Sequence, residues 1–289
     1  MASKGIILAG GNGTRLLPTT KVVNKHILPI YDKPMIFYPL ATLMLAGIKD
    51  ILVISTPEAV PQLNTLLGDG ADLGLTITYA EQKEANGIAE ALLIGEEFIQ
   101  NSRVCLILGD NVFYGNDLSI LLENAANKTG NLIFSYYVKE PSAFGVCEFN
   151  ASGKPINLIE KPVQFVSNWV VPGMYFFEAE AVGVAKSLKA SSRGEIEITD
   201  LNKRLLQTDR LEVVQMGRGI FWMDCGTPED LLEASEFVKV VEKRVGLQIC
   251  CLEEIAFLKG FIDKQALDTL AQQTPDTRKR DYIEQLLRA

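Results

Sequence analysis

The chain has 289 residues, enough for one large α/β unit or for two domains of ~150 residues, and enough to bury a substantial core. Its 28 Lys and Arg stand against 36 Asp and Glu, a formal charge of −8 with a pI near 4.9. That balance excludes a nucleic-acid partner as the main function and leaves any anionic ligand to local cations. Mean hydropathy is +0.13, yet no apolar run approaches the ~18 residues of a membrane span, so no membrane partner is expected.

The short run Ile6 to Ala9 is too brief for a signal-peptide core and reads as the first buried strand. Further β-branched runs follow at Ile51 to Ser55, Leu75 to Tyr79, Val104 to Leu108 and Leu132 to Val138, separated by helical patterns. This alternation predicts an α/β fold with a mostly parallel, Rossmann-like twisted sheet flanked by helices. Pro34 is expected to open a helix carrying Ile36, Leu40, Leu43 and Met44 on one stripe, and Pro61 to sit early in the next. The second half is less regular, with strands expected near Val146 to Phe149, Ile156 to Ile159, Gly173 to Phe177, Leu211 to Gln215 and Ile220 to Met223. Thr227, Pro228 and Asp230 make a capping box for a helix bearing Leu231, Leu232, Phe237, Val238 and Val241. Past Gly246 the sequence is helical and more charged, which divides the chain into an α/β body over 1–245 and a helical C-terminal appendage over 246–289. The five cysteines are odd in number, include no Cys-x-x-Cys and have only His26 as a metal-type partner; reduced thiols in a cytoplasmic protein are the expectation.

The segment Leu8-Ala-Gly10-Gly11-Asn-Gly13-Thr14-Arg15-Leu16 follows the first strand directly, at the end of the sheet where α/β proteins bind ligands. Its glycines let backbone N–H groups converge on an anion, though the same turn also serves a fold with no ligand there. A dinucleotide fingerprint needs a third glycine where Leu16 stands, and a Walker loop needs Gly-Lys-Ser/Thr, which is missing. Arg15 and Lys25 bring two cations to this loop of an acidic protein and favour a polyphosphate. Asp110 follows Val104 to Leu108, and Asp224 follows Ile220 to Met223. Each is thereby a strand-end carboxylate that either caps a turn or shares a hard divalent cation with the other.

Six ordered blocks carry a family resemblance: Gly5-Ile-Ile-Leu-Ala-Gly-Gly-x-Gly-Thr-Arg-Leu, Lys25-His-Ile-Leu-Pro-Ile-Tyr-Asp-Lys-Pro-Met, Leu108-Gly-Asp-Asn-Val-Phe-Tyr-Gly, Glu160-Lys-Pro, Ser192-Arg-Gly-Glu-Ile-Glu-Ile-Thr-Asp and Trp222-Met-Asp-Cys-Gly-Thr. Together they resemble the glucose-1-phosphate thymidylyltransferases of the sugar nucleotidyltransferase family over nearly the whole chain. The resemblance implies transfer from dTTP to glucose 1-phosphate, a hexose 1-phosphate, giving dTDP-glucose and pyrophosphate by in-line attack on the α-phosphorus. That chemistry needs positioning and charge neutralisation more than a nucleophile or base. By the same resemblance Arg15, Lys25, Asp110, Lys161 and Asp224 carry catalysis, and Asp110 and Asp224 hold Mg²⁺. Leu8, Gly10, Gly11, Gly13, Thr14, Arg15, Gln82 and Gly87 bind the nucleotide, Gln82 reading the imide edge of the base with one donor and one acceptor. Asn111, Gly145, Glu160, Lys161, Val171, Arg193 and Trp222 bind the sugar phosphate, with core packing the competing role for Val171 and Trp222. It further implies a cytoplasmic homotetramer serving sugar-nucleotide biosynthesis for cell-surface polysaccharide. A regulatory site for the end-product nucleotide is implied around Tyr114, Gly115, Arg218, Gly219, Glu254, Ile255 and Leu258.

The chain departs from the family pattern at several of these places. Asn86 and Glu90 stand where Asp and Gln are usual, Pro172 replaces Thr beside the sugar pocket, and His26 and Cys225 replace Gln and Thr. Leu258 occupies a usual Arg position and Asn116 a usual His, which predicts weak inhibition by dTDP-rhamnose, the end product the resemblance implies, or a regulatory site that prefers another nucleotide. The same chemistry with UTP, or with another hexose or amino-sugar 1-phosphate, is the alternative within the class. A non-catalytic sugar-nucleotide regulator would discard Arg15 or an aspartate, and all are retained; a nicotinamide enzyme lacks its third glycine.

Overall fold

The computed structural model describes residues 3–288, so the outermost residues of both expected segments lie outside the described part. Chain order begins with β1 (Lys4–Ala9), a small hairpin of β2 (Pro29–Ile30) and β3 (Lys33–Pro34), α1 (Phe37–Leu45), β4 (Asp50–Ser55), α2 (Val60–Leu67) and β5 (Thr76–Glu81). Next come α3 (Glu90–Ile94), α4 (Glu96–Ile99), β6 (Val104–Leu108), β7 (Asn111–Gly115), α5 (Leu118–Asn127) and β8 (Asn131–Tyr137). The strands β9 (Gly145–Phe149), β10 (Pro155–Glu160), β11 (Trp169–Val170) and β12 (Met174–Phe177) lead to α6 (Ala181–Lys186), α7 (Ile198–Gln207), β13 (Leu211–Gln215) and β14 (Ile220–Asp224). Four helices finish the chain: α8 (Pro228–Val245), α9 (Leu252–Leu258), α10 (Lys264–Gln273) and α11 (Thr277–Arg288).

Ten strands form one sheet in the order β10-β9-β11-β8-β12-β6-β1-β4-β5, with β13 added beside β8. The run β6-β1-β4-β5 is parallel throughout; β12, β11 and β10 run opposite to the other seven strands, so the sheet is mostly parallel. Alternate residues of the central strands supply two cores. Ile7, Val53 and Ile107 pack with α1, α5 and α9 on one face, and Ile6, Leu52 and Leu106 with α3, α6 and α7 on the other. Burial on both faces is why these strands read as unbroken apolar runs.

The helix expected to open at Pro34 begins at Phe37 instead, because Pro34 pairs with Pro29 in the β2–β3 hairpin. Pro61 lies in the first turn of α2 as read. Thr227 caps α8, its Oγ accepting from Asp230 N–H at 3.1 Å, an interaction of about 1 kcal/mol. The Asp230 carboxylate bonds the same hydroxyl at 2.6 Å. Gly246, with φ 75°, ends α8, and α9 then returns to pack on α1. Ile255 joins the main core, Phe261 and Ile262 pack against it, and Phe257 joins a satellite cluster with Leu267, Ala271 and Ile283. The apolar side chains of the tail are thus largely spent within their own chain. Among the described residues no helix is long and apolar enough to cross a membrane, and all five cysteines are free thiols.

Candidate active site

β1 delivers the chain to Gly10 at the carboxyl end of the parallel strands, and the residues after it turn sharply: Gly11 has φ 84° and Gly13 φ 56°. Ser55 at the end of β4 donates to the Ala9 carbonyl at 2.6 Å, tying the turn to its neighbour strand. Leu8, Gly10, Gly11, Arg15, Lys25, Gln82 and Gly87 line a cavity of about 340 Å³ above this edge. Gly13 is outside that lining: its carbonyl accepts from Thr20 Oγ at 2.7 Å, so it shapes the loop. Thr14 faces a broader cleft of about 880 Å³ together with Arg15, Lys161 and Asp224. The Arg15 guanidinium lies against Gly226, where a Cβ would come within 2.4 Å of Nη2.

Gln82 is buried, and its backbone N–H donates to the Ser55 carbonyl at 2.7 Å. Its Nε2 donates to Glu90 Oε2 at 2.8 Å and to the Gly87 carbonyl at 3.3 Å. Both amide hydrogens are therefore spent inside the protein, which corrects the expectation that Gln82 offers a ligand one donor and one acceptor.

The two aspartates meet through a contact that strand-end reasoning did not contain. β7 starts immediately after Asp110 and pairs antiparallel with β14, so Asn111 sits opposite Asp224 and the two carboxylates share one end of a two-stranded ribbon. The Cys225 N–H donates to the Asp110 carbonyl at 2.8 Å, closing that end. Lys25 Nζ bonds Asp110 Oδ2, and Asn111 Nδ2 donates to Asp110 Oδ1 at 3.1 Å. Burial opposes ionisation of Asp110, but the adjacent Lys25 ammonium holds its carboxyl well below the usual range. Asp224 moves the other way, raised by burial and by the negative charge of Asp110. Its Oδ1 is buried and has no hydrogen-bond partner. A buried carboxylate and a half-buried one with an orphaned, buried oxygen suit a hard divalent cation that takes oxygen ligands, so the residues present fit Mg²⁺. His26 is buried beside them with Nδ1 on Asn24 Oδ1 at 2.8 Å, and burial followed by the Lys25 charge pushes it down to about 3. The ring is neutral near pH 7, and its one N–H is spent on Asn24 Oδ1.

A second cavity of about 130 Å³ adjoins the first and shares Ile88, Leu108 and Asp224 with it. Asn111, Gly145, Glu160, Lys161, Val171 and Trp222 all line it. Asn111 Oδ1 accepts from Trp222 Nε1 at 2.7 Å and from Gly173 N–H at 2.9 Å, which fixes the indole as a wall of the cavity. Trp222 also packs edge-on against Tyr136 and Phe144, so it serves core and cavity together. Thr199 Oγ donates to Glu160 Oε2, orienting the carboxylate. Lys161, at φ 41°, turns the chain out of β10, and its half-exposed ammonium stands 3.8 Å from Glu160 Oε1 and faces the broad cleft. Arg193 reaches the edge of this cavity: Nη2 stands 3.6 Å from Glu160 Oε1, while Nε and Nη2 grip Glu197 at 3.0 and 2.9 Å and Nη2 also reaches Glu195 at 3.1 Å. Sequence reasoning did not single out Ile88, Leu108, Phe144, Tyr175, Ile198 and Thr199, which also line it. Their apolar or hydroxyl side chains carry no sequence signal that separates a cavity wall from ordinary core.

The residues of the implied regulatory site divide between two elements. Tyr114 and Gly115 lie on β7 opposite Phe221 and Ile220, with Gly219 and the exposed Arg218 in the turn that leads into β14. A Cβ on Gly115 would come within 2.3 Å of the Gly219 carbonyl, so the ribbon closes tightly there. On α9, Glu254 accepts from Tyr282 Oη at 2.7 Å, Ile255 is buried and Leu258 is 71% exposed. Lys259 is bonded to Ser119 and Glu123 of α5.

Residues 4–240 match the family model described as nucleotidyl transferase. The chain is 50% identical over 286 residues to the glucose-1-phosphate thymidylyltransferase of Neisseria meningitidis serogroup A, covering 99% of both chains. It is 49% identical over 284 residues to the enzyme of that name from Mycolicibacterium smegmatis, covering 98% of this chain and 99% of the other. Among solved structures, a Bacillus anthracis protein in complex with sucrose superposes with a TM-score of 0.75 at 38% identity, over 82% of this chain and 95% of that one. A UDP-glucose pyrophosphorylase complexed with UDP-glucose gives 0.72 at 27% identity, over 84% of this chain and 100% of the other.

Proposed function

Because the chain belongs to the nucleotidyl transferase family, we propose that it joins a nucleoside triphosphate, dTTP, to glucose 1-phosphate, giving dTDP-glucose and pyrophosphate. The observation that carries this reading is the pair of adjoining cavities. One is edged by the glycine-rich turn, Arg15 and Lys25, the other by Glu160, Lys161 and Trp222, and they join at Leu108, Ile88 and Asp224. Two anions brought to such a junction need their charges neutralised before a phosphate oxygen approaches a phosphorus. Arg15 serves the triphosphate and Lys161 the sugar phosphate. The attacking oxygen is already anionic, so no base is required, and the neutral, buried His26 is left as a structural part of the floor. Glu160, steadied by Thr199, accepts from sugar hydroxyls, and the Trp222 indole packs against the ring. Asp110 and Asp224 would hold Mg²⁺, which when bound supplies positive charge to the phosphates; Lys25 balances Asp110 and keeps the pair from repelling unchecked.

A homotetramer in the cytoplasm, feeding sugar-nucleotide biosynthesis, completes the reading, with residues 1–245 as the catalytic body and 246–289 as a helical segment on its flank. The test is a pyrophosphate-release assay over a matrix of nucleoside triphosphates and sugar 1-phosphates with Mg²⁺. The pair dTTP and glucose 1-phosphate should give the highest kcat/KM, and release from no pair in the matrix would refute the proposal.

A further inference from the structure

We propose that Glu90 is a positioning residue that sets base selectivity, by locking the Gln82 amide so that it meets a nucleobase only as a hydrogen-bond acceptor. This deepens the proposed function and rests on its assignment of the 340 Å³ cavity to the nucleotide. Gln82 Nε2 has two hydrogens, and both are committed, to Glu90 Oε2 at 2.8 Å and to the Gly87 carbonyl at 3.3 Å. Glu90 is held in turn, its Oε1 accepting from Asn86 Nδ2 at 2.9 Å. The Asn86 carbonyl accepts from Ile196 N–H at 2.6 Å, so the loop bearing the network is pinned to the segment before α7.

The orientation of the amide follows from chemistry. A carboxylate and a peptide carbonyl only accept, so an inverted Gln82 would aim its oxygen at two oxygens and lose both bonds. What remains for the cavity is Gln82 Oε1, which a Cβ on Gly10 would approach within 2.4 Å. The N3–H of a thymine or uracil imide satisfies that acceptor. Cytosine presents a lone pair at N3 and meets it with repulsion. A glutamine at position 90 beside Asn86 offers either oxygen or nitrogen and would turn together with Gln82. The carboxylate removes that freedom.

Equilibrium titration of the purified protein with dTTP, UTP and dCTP, with Mg²⁺ and without sugar phosphate, tests the proposal apart from turnover. The wild type should bind the two imide nucleotides on the order of 10²-fold more tightly than dCTP. In Glu90→Gln, nearly isosteric and checked for an unchanged melting curve, that ratio should fall below about tenfold, because a site that no longer fixes its polar group discriminates less. Asn86→Ala removes a partner of Glu90 but leaves the carboxylate, and should keep most of the selectivity. A wild type that binds no pyrimidine nucleotide or does not discriminate, a Glu90→Gln variant with an unchanged ratio, or an equal loss for all three nucleotides would each overturn it. Failure of pyrophosphate release from dTTP and glucose 1-phosphate would instead refute the proposed activity, leaving the binding ratios readable.

Discussion

Gly10→Ala isolates the nucleotide end of the site with one methyl group. Unlike Gly11 and Gly13, Gly10 does not adopt a positive φ, so an alanine fits its backbone without strain. The new Cβ, however, would lie 2.4 Å from Gln82 Oε1 and 3.6 Å from Cδ. An ordinary C···O separation is ~3.3 Å, so the amide must retreat by roughly 1 Å. A free glutamine would do this cheaply, but this one is held at 2.8 Å to Glu90 and 3.3 Å to the Gly87 carbonyl. Losing the bond to the carboxylate costs the fold about 1.5–3 kcal/mol, and the displaced oxygen misses the base, a neutral hydrogen bond of about 0.5–1.5 kcal/mol that corresponds to nucleotide binding weaker by roughly two- to tenfold. Steady-state kinetics should show this as a raised KM for dTTP, with the KM for glucose 1-phosphate nearly unchanged. In a Glu90→Gln background the amide is freer and the penalty of the methyl group should shrink, a coupling that a double-mutant cycle reads directly. A Gly10→Ala enzyme with wild-type KM for dTTP would refute the packing argument.

Asp110→Asn and Asp224→Asn should each lower kcat by on the order of 10² or more at saturating Mg²⁺, as expected for losing one preorganised charge; near-normal turnover in either would dismiss the metal role. Arg15→Ala should chiefly impair triphosphate use and Lys161→Ala use of the sugar phosphate, so the two variants should differ in which KM rises. A rise in the nucleotide KM alone in both would show the subsites to be wrongly divided. Light scattering at micromolar concentration should give a tetrameric mass, since Leu232, Val240 and Leu247 leave apolar surface on and after α8; a monomer would overturn that expectation. Inhibition by dTDP-rhamnose should be weak and should strengthen roughly ten- to 150-fold in Leu258→Arg, for charge-assisted bonds worth about 1.5–3 kcal/mol. Lys259 cannot stand in, because Glu123 and Ser119 already hold it; strong inhibition of the wild type would end this line of reasoning.

The helix at 34 shows where sequence reading goes astray in this chain. Pro34 is a good first helical residue by local preference, but a hairpin with Pro29 claims it and moves the helix start to Phe37. Strand pairing of that kind depends on a partner, and the local sequence does not name the partner. Arg193 teaches the same lesson at the site. Its motif associates it with the sugar, and only the fold shows its guanidinium shared among Glu160, Glu195 and Glu197.

The sequence by itself determined the parallel half of the sheet, because strands buried on both faces must be continuous apolar runs, and it determined the glycine turn, because positive φ at Gly11 and Gly13 is a property of those residues. It also named Asp110 and Asp224 as strand-end carboxylates. Only the tertiary structure decided that β7 pairs with β14, placing residues more than a hundred positions apart at one end of a ribbon, with an Asp224 oxygen left unpartnered between them. It alone decided that both hydrogens of Gln82 are consumed by Glu90 and Gly87. Propensity, periodicity and residue chemistry act along the chain and can be read there. Hydrogen-bond satisfaction and charge pairing are settled among groups that meet only after folding.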